Sequence, residues 1–344
     1  MNVEHKVLEL VQLSDLIKTY LTKNSEDFNE NDLELEQTLR KSEIENPWFT
    51  LENQKKALEQ WVSVLNYPQI TEWLSQYSEN KVQKRVGLIL AGNIPMVGFH
   101  DVISVILSNH IPVIKLSSKD KTLLPFLLKK WNEISNGNLQ YEIVERLENF
   151  DAVIATGSNN TARYLEYYFR KQRSIIRKNR TSVAIISGNE TNEELAFLAK
   201  DIFQYFGLGC RNVTRLFLPK DYLIDKIFEN FINYQDIINH NKYANNYDYN
   251  RAVYLLNQDQ FWDNNFIMLK EDEKLFSPLS VINFSRYDNL DDVKNFLVQN
   301  DENIQCVVSQ TEGFENSVAF GEAQNPSLDT YADNVDTMKF LSEI

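Results

Sequence analysis

The chain has 344 residues, of which 43% are hydrophobic and 24% charged, so it has room for two average domains and a sizeable core. Its formal net charge of −14 repels phosphate backbones and anionic lipid, which argues against nucleic acid or a membrane surface as partner. No apolar stretch reaches the roughly 20 residues of a spanning helix, so no membrane insertion is expected. Two distant cysteines, Cys210 and Cys306, and an N-terminus unlike a signal peptide predict a cytoplasmic protein without a disulfide framework.

The first 80 residues are predicted to form helices, because apolar residues recur at helical spacing from Val7 to Leu21 and again around Trp61 and Trp73. From Arg85 onward, short apolar runs alternate with helical stretches, a pattern typical of βαβ units around a parallel sheet. The predicted strands are 86–90, 111–117, 151–155, 181–188, 213–219, 279–284 and 304–310. The predicted helices are 97–109, 122–135, 160–174, 190–207, 222–239 and 289–299.

In two further segments the apolar residues show no clear helical or strand periodicity. Residues 240–250 (HNKYANNYDYN) are rich in Asn and Tyr and are predicted to form a surface loop, and 320–344 a loop followed by a short helix. The resulting division is a helical segment at 1–80, a cofactor-binding domain at 81–188, a catalytic domain at 189–320 and a tail at 321–344.

A basic run between Arg170 and Arg180 stands out in this acidic chain. Two interpretations remain open for it. It is either the solvated face of a helix or a locally basic approach for an anionic substrate.

The sequence has no Gly-x-Gly-x-x-Gly and no Walker-type motif for phosphates. The apolar run 151–155 leads instead into Thr156-Gly157-Ser158 at the start of a predicted helix. Such a turn can hold a phosphate through backbone N–H groups and the helix dipole, although Ser158 as a plain N-cap explains it equally well. Lys115 closes another apolar strand, where it either faces a ligand crevice or extends its ammonium group into solvent.

Cys210 is the candidate nucleophile. It follows Gly207 and Gly209, which give the backbone freedom to turn, and the neighbouring Arg211 favours a thiolate. An unreactive buried thiol is the commoner case and stays open here, and Cys306, inside an apolar strand, fits that description better. The four histidines show neither metal-ligand spacing nor a visible catalytic pairing, so no metal site and no hydrolase are predicted.

Five segments occur in an order and spacing that resemble the aldehyde dehydrogenase superfamily, and within it the LuxC-type long-chain acyl-CoA reductase family. They are GNIPMVGF (92–99), VIKLSS (113–118), DAVIATGS (151–158), SVAIISGNET (182–191) and FGLGC (206–210). The resemblance implies an α/β fold with two Rossmann-type parallel-sheet lobes, here preceded by the helical N-terminal segment.

The resemblance also implies site residues. Cys210 is similar to the thiol that carries the acyl group as a thioester, and Asn93 to the asparagine that stabilises the oxyanion together with the Cys210 backbone N–H. Lys115 resembles the lysine that contacts the cofactor ribose or its 2′-phosphate. Thr156, Gly157 and Ser158 match the turn that faces the cofactor pyrophosphate. The implied cofactor is NADPH, with NADH as the alternative.

One departure from the superfamily pattern favours a direction of reaction. Oxidising members carry a glutamate base shortly before the strand that here is 181–188, whereas residues 175–180 (IIRKNR) contain no carboxylate. Hydrolysis of a thioester needs an activated water, and its reduction needs only hydride, so we expect an acyl-CoA reductase. The alternatives are a reductase of acyl-phosphate or acyl-carrier protein, or a non-catalytic binding subunit. The resemblance leaves room for a homo-oligomer.

Overall fold

The computed structural model describes residues 3–314 and 317–344, and the chain divides into two compact units. The first unit comprises Met1–Lys178 and Ser327–Ile344, and the second comprises Asn179–Pro326. This division differs from the four parts expected from the sequence. The N-terminal helices and residues 327–344 of the tail belong to the first unit because their apolar side chains, among them Leu13 and Leu341, share one core with Val102.

The first unit is built on a sheet of five parallel strands in the order β3-β2-β1-β4-β5. Its strands are β1 (Arg85–Ile89), β2 (Ile111–Lys115), β3 (Glu142–Ile143), β4 (Ala152–Thr156) and β5 (Arg173–Arg177). Its helices up to this point in the chain are α1 (Val3–Thr22), α2 (Glu30–Glu45), α3 (Leu51–Val64), α4 (Tyr67–Ser75), α5 (Phe99–Leu107), α6 (Leu123–Ile134) and α7 (Asn159–Tyr168).

Both faces of this sheet are buried, as expected for parallel strands that read as continuous apolar runs. In β4, Ile154 packs into the core shared with the N-terminal helices, whereas Val153 and Ala155 pack into a second cluster with Phe169. Alternate side chains of one strand thus serve opposite faces. The helical lead segment is therefore one of the two layers that cover the sheet.

The second unit holds a six-stranded sheet in the order β11-β6-β7-β10-β9-β8, in which all neighbours are parallel except the antiparallel pair β8 and β9. Its strands are β6 (Thr181–Ile185), β7 (Val213–Pro219), β8 (Trp262–Asp263), β9 (Met268–Glu271), β10 (Val281–Tyr287) and β11 (Ile304–Val308). Its helices are α8 (Asn192–Phe203), α9 (Asp225–Phe231), α10 (Asn241–Asn257) and α11 (Leu290–Gln299). The chain ends with α12 (Thr337–Ser342), which packs in the first unit.

The expectation of a surface loop at 240–250 is wrong, because these residues begin the 17-residue helix α10. Tyr243, Tyr247 and Asn250 are buried at helical spacing, so one narrow face packs inward while the remaining polar residues face solvent. The sequence did not reveal this face, because the segment is rich in Asn and two of its three buried residues are tyrosines, which also occur in surface loops.

The helix predicted at 160–174 is also too long. It ends at Tyr168, and the edge strand β5 begins five residues later, because Ile175 and Ile176 pair with β4. The basic run is therefore not one helix face. Arg177 is buried and bonds to Asp101 of α5 at 2.5 Å and to Thr337 of α12 at 2.9 Å.

None of the helices in the described part of the chain is both long and apolar enough to cross a membrane. Within residues 3–314 and 317–344, no group of three His, Cys, Asp or Glu side chains is placed to hold a metal ion.

Candidate active site

Five of the six predicted site residues lie along one edge of the first unit's sheet. Lys115 closes β2, Asn93 lies in the turn after β1, and Thr156 closes β4 with Gly157 and Ser158 next in the chain. These three strands are neighbours and run parallel, so their carboxyl ends meet at the same edge, the usual place for a ligand in an open α/β sheet. The backbone N–H of Leu90 donates to the Lys115 carbonyl at 3.2 Å, which ties the first two turns together.

A buried carboxyl group shapes the turn that carries Asn93. Asp120, only 7% exposed, follows β2 and accepts the backbone N–H of Met96, which itself adopts a left-handed φ of 60°. Burial raises the pKa of Asp120 to about 6, and the bond from Met96 only partly offsets that rise. Sequence analysis missed this residue, because a single aspartate among Ser, Lys and Thr resembles an ordinary exposed turn.

In the turn after β4, the structure shows one of the two interpretations that the sequence left open, Ser158 as an N-cap. The Ser158 hydroxyl accepts the Thr161 backbone N–H at 3.3 Å, so this serine is the N-cap of α7. A Cβ atom on Gly157 would lie 2.9 Å from the Thr161 side chain, so only glycine lets the strand approach the helix this closely. The amino end of a ten-residue helix therefore lies directly beyond β4, where its first N–H groups and dipole favour an anion.

The chemistry of this edge fits a dinucleotide. Lys115, Thr156 and Ser158 follow or close strands that pair with β1, and their side chains, with the amino end of α7, are donors that suit phosphate and ribose oxygens. The close packing of Gly157 keeps side-chain bulk out of the turn. We call these residues, with Asn93, the first-unit edge.

Cys210 belongs to the second unit and lies at the opposite kind of edge. It is half-buried and precedes β7, so it sits at the amino end of a parallel strand. The helix predicted to continue through Gly207 ends at Phe203. Tyr205, Phe206 and Gly207 then adopt left-handed φ angles of 54°, 59° and 78°. These three residues turn the chain sharply into the segment that carries the thiol.

Two buried side chains hold this turn. The Asn212 side-chain NH₂ group contacts the carbonyls of Asp201, Ile202 and Gln204 at 3.2, 3.3 and 2.8 Å, and its oxygen accepts the Gly209 N–H at 2.8 Å. The Ser182 hydroxyl, at the start of β6, donates to the Cys210 carbonyl at 3.1 Å. Sequence analysis missed both residues, although a polar residue next to an apolar strand start was a usable signal for Asn212.

Cys306 lies close to the same turn. Its sulfur is 3.0 Å from the Ser182 hydroxyl, and neither cysteine of the chain forms a disulfide. Burial raises the pKa of the Cys306 thiol, and the charge of Arg211 only partly offsets that rise. Arg211 was expected to favour a thiolate at Cys210, and its charge acts in that direction on Cys306. A half-buried thiol with a raised pKa is a poor nucleophile, because little of it is present as thiolate.

A buried aspartate fixes the segment after β11. Asp201 of α8 accepts the backbone N–H groups of Gly321 and Ala323 at 2.6 and 3.0 Å, while its own carbonyl accepts from Asn212. Burial raises the pKa of Asp201 to about 7. It lies on an otherwise apolar helix face, and that position was the signal by which it could have been found.

This architecture is similar to that of known proteins. The family model described as acyl-CoA reductase (LuxC) matches residues 18–319. No match was found among curated proteins. Among solved structures, aldehyde dehydrogenase 21 from Physcomitrella patens, in complex with the product succinate, has a TM-score of 0.71 at 12% identity, covering 100% of this chain and 84% of that one.

Two further structures show the same fold. The indole-3-acetaldehyde dehydrogenase AldA from P. syringae, a mutant in complex with NAD⁺ and IAA, has a TM-score of 0.65 at 10% identity, covering 94% of this chain and 75% of that one. An NAD⁺ complex of aldehyde dehydrogenase from Bacillus cereus has a TM-score of 0.64 at 13% identity, with coverages of 92% and 73%. The α/β fold expected from the sequence is confirmed as aldehyde-dehydrogenase-like. With a match over most of its length, the chain belongs to the acyl-CoA reductase (LuxC) family.

Proposed function

We propose that this protein reduces an acyl-CoA to the aldehyde with NADPH, through a thioester on Cys210. Its family and fold make it an oxidoreductase that acts on acyl or aldehyde groups, and the proposal adds the substrate, cofactor and intermediate. The observation that carries it is Cys210 itself, a half-buried thiol on a sharply turned segment whose backbone is held by Asn212 and Ser182. A long-chain acyl group is the substrate that the family resemblance favours.

The first chemical step is acyl transfer. The Cys210 thiolate attacks the acyl carbonyl carbon, the new C–S bond forms, and coenzyme A leaves as a thiolate that takes a proton from solvent. The charge that develops on the carbonyl oxygen requires donors fixed in advance, and we assign the Asn93 side-chain amide and the Cys210 backbone N–H to that role. A thiol ester retains the energy needed for the next step.

The second step needs a reductant. When bound, a reduced nicotinamide would supply the hydride for the acyl carbon; the C–S bond to Cys210 would then break, leaving Cys210 as a thiolate and releasing the aldehyde. Lys115, Thr156, Gly157 and Ser158 are the residues proposed to hold this cofactor. Two solved structures of similar fold, from P. syringae and Bacillus cereus, are complexes with NAD⁺, which supports a nicotinamide. Lys115 can pair with a 2′-phosphate, which favours NADPH over NADH.

The direction of the reaction follows from what the chain lacks before β6. Residues 175–180 contain no carboxylate, and the structure uses Arg177 there in a buried ion pair. Without a base to activate water, the thioester persists until hydride reaches it.

The test compares donors in one assay that follows NADPH absorbance. We expect acyl-CoA to support NADPH consumption with release of coenzyme A, and acyl phosphate or acyl-carrier protein to support it poorly. Oxidation of aldehyde to free acid, without NADPH consumption from any acyl donor, would contradict the proposed direction.

A further inference from the structure

We propose that Asn212 and Ser182 are positioning residues that fix the backbone N–H of Cys210 for acyl transfer. This inference rests on the proposed role of Cys210. It assigns a task to two buried polar residues that contact the backbone around the thiol.

The turn before Cys210 needs external support. Two successive non-glycine residues, Tyr205 and Phe206, adopt left-handed conformations, and each costs roughly 1–3 kcal/mol. The end of α8 also leaves backbone carbonyls without partners inside the helix. A backbone of this kind holds one conformation only where surrounding groups determine it.

Asn212 supplies that support. It is fully buried, its NH₂ group faces the carbonyls of Asp201, Ile202 and Gln204, and its oxygen accepts the Gly209 N–H. Three carbonyls on one side and an N–H on the other fix the orientation of the amide. The end of the helix and the segment entering Cys210 are thus joined through one side chain.

Consecutive peptide groups next to the thiol each form a hydrogen bond with Asn212 or Ser182. The Asn212 side chain binds the N–H of Gly209, the Asn212 backbone N–H donates to the Gly209 carbonyl at 3.2 Å, and Ser182 donates to the Cys210 carbonyl. Because a trans peptide is planar, fixing the Gly209 carbonyl also fixes the direction of the Cys210 N–H. That N–H is the backbone group assigned to the oxyanion.

Ser182 acts from the other side of the turn. It is fully buried in β6, and its hydroxyl lies between the Cys210 carbonyl and the Cys306 sulfur. Errors of about 1 Å in such a site can lower a rate about 100-fold, so a loosened peptide group has a measurable cost.

The test separates oxyanion stabilisation from thiol access. We would measure, for Asn212→Ala and Ser182→Ala, the single-turnover release of coenzyme A from acyl-CoA and the rate of Cys210 alkylation by iodoacetamide. Alkylation at a saturated carbon develops no oxyanion. We expect coenzyme A release to fall roughly 10- to 100-fold for Asn212→Ala and several-fold for Ser182→Ala, while alkylation changes less than about threefold.

The matched control is Asn283→Ala. Asn283 is a buried asparagine of β10 whose amide also donates to two backbone carbonyls, those of Lys274 and Phe276. It should lower stability without separating the two rates. If Asn212→Ala does not fold, Ser182→Ala carries the test with the same readouts.

Three outcomes are distinct. A selective loss of coenzyme A release supports the inference. Unchanged release from a folded variant, or a parallel fall in both rates, overturns it while wild-type acylation preserves the proposed function. A wild-type enzyme that takes no acyl group on Cys210 overturns the proposed function and this inference together.

Discussion

The candidate residues of the two units lie at opposite ends of their parallel strands. In the first unit the candidate residues follow β1, β2 and β4 at their carboxyl ends, where the βαβ topology itself gathers turns and helix amino ends. In the second unit Cys210 precedes β7 at its amino end, so local side chains must shape the turn. A site at the carboxyl edge follows from the fold, whereas a site at the amino edge depends on individual buried polar groups.

The largest effect is expected at the amino-edge turn of the second unit. Cys210→Ser should lower NADPH-dependent reduction of acyl-CoA on the order of 10⁴-fold or more, because the covalent intermediate is lost. Cys306→Ser should retain most activity, since burial keeps that thiol protonated. Initial rates of both variants test this. If Cys210→Ser kept full activity, or if Cys306→Ser abolished it, Cys210 would not be the nucleophile.

The next effect is expected at the first-unit edge. Asn93→Ala should lower kcat for acyl-CoA reduction by about 10²- to 10³-fold, the usual cost of removing one oxyanion donor. The KM for acyl-CoA should change little, because the bond is made in the transition state. Steady-state kinetics measure both. Asn245→Ala, at an exposed position of α10, is the control. A rise in KM with constant kcat would make Asn93 a binding residue instead.

A smaller effect concerns the buried polar groups of the second unit. Because the folded-state pKa of Asp201 is raised to about 7, above its unfolded value near 4, its contribution to stability is fully present below about pH 4. That contribution is lost as pH rises through 7. Lys200 and Glu322 act on this carboxyl group in opposite directions.

Unfolding free energies in urea between pH 5 and pH 8 measure this dependence. Asp201 should account for a fall of at most about 1.4 kcal/mol per pH unit, which Asp201→Asn removes. An unchanged slope in the variant would show that the carboxyl group titrates as in the unfolded chain.

The smallest effect is expected for cofactor binding. Lys115→Ala should raise the KM for NADPH about tenfold and the KM for NADH less, because the ammonium group pairs with the 2′-phosphate. The ratio of the two KM values, before and after the substitution, is the measurement. Equal changes for both cofactors would place Lys115 on the ribose that they share.

The sequence predicts the first unit's edge better than the second unit's turn, for a physical reason. Asn93, Lys115 and Gly157 lie in short contiguous motifs, and parallel pairing of β1, β2 and β4 is enough to bring them to one edge. Ser182 donates to the Cys210 carbonyl 28 positions away, and Asp201 accepts from the Gly321 N–H 120 positions away. The local sequence around a single polar residue in an apolar segment does not predict which groups it will hydrogen-bond.

The same limit explains the errors in secondary structure. The sequence predicts a helix where β5 lies, because Arg173 and Arg177 flank its two isoleucines and make the segment look solvent-exposed; Arg177 is in fact buried through its ion pair with Asp101. Similarly, the tyrosines of α10 carry its buried face within a polar composition. In each case tertiary contacts decide a structure that local propensity leaves open.

The most direct test of the central claim is mass spectrometry of the protein after incubation with an acyl-CoA in the absence of NADPH. The account predicts the added mass of one acyl group on the peptide that contains Cys210, and its loss as aldehyde once NADPH is added. No adduct, or an adduct on the Cys306 peptide that turns over with NADPH, would contradict it.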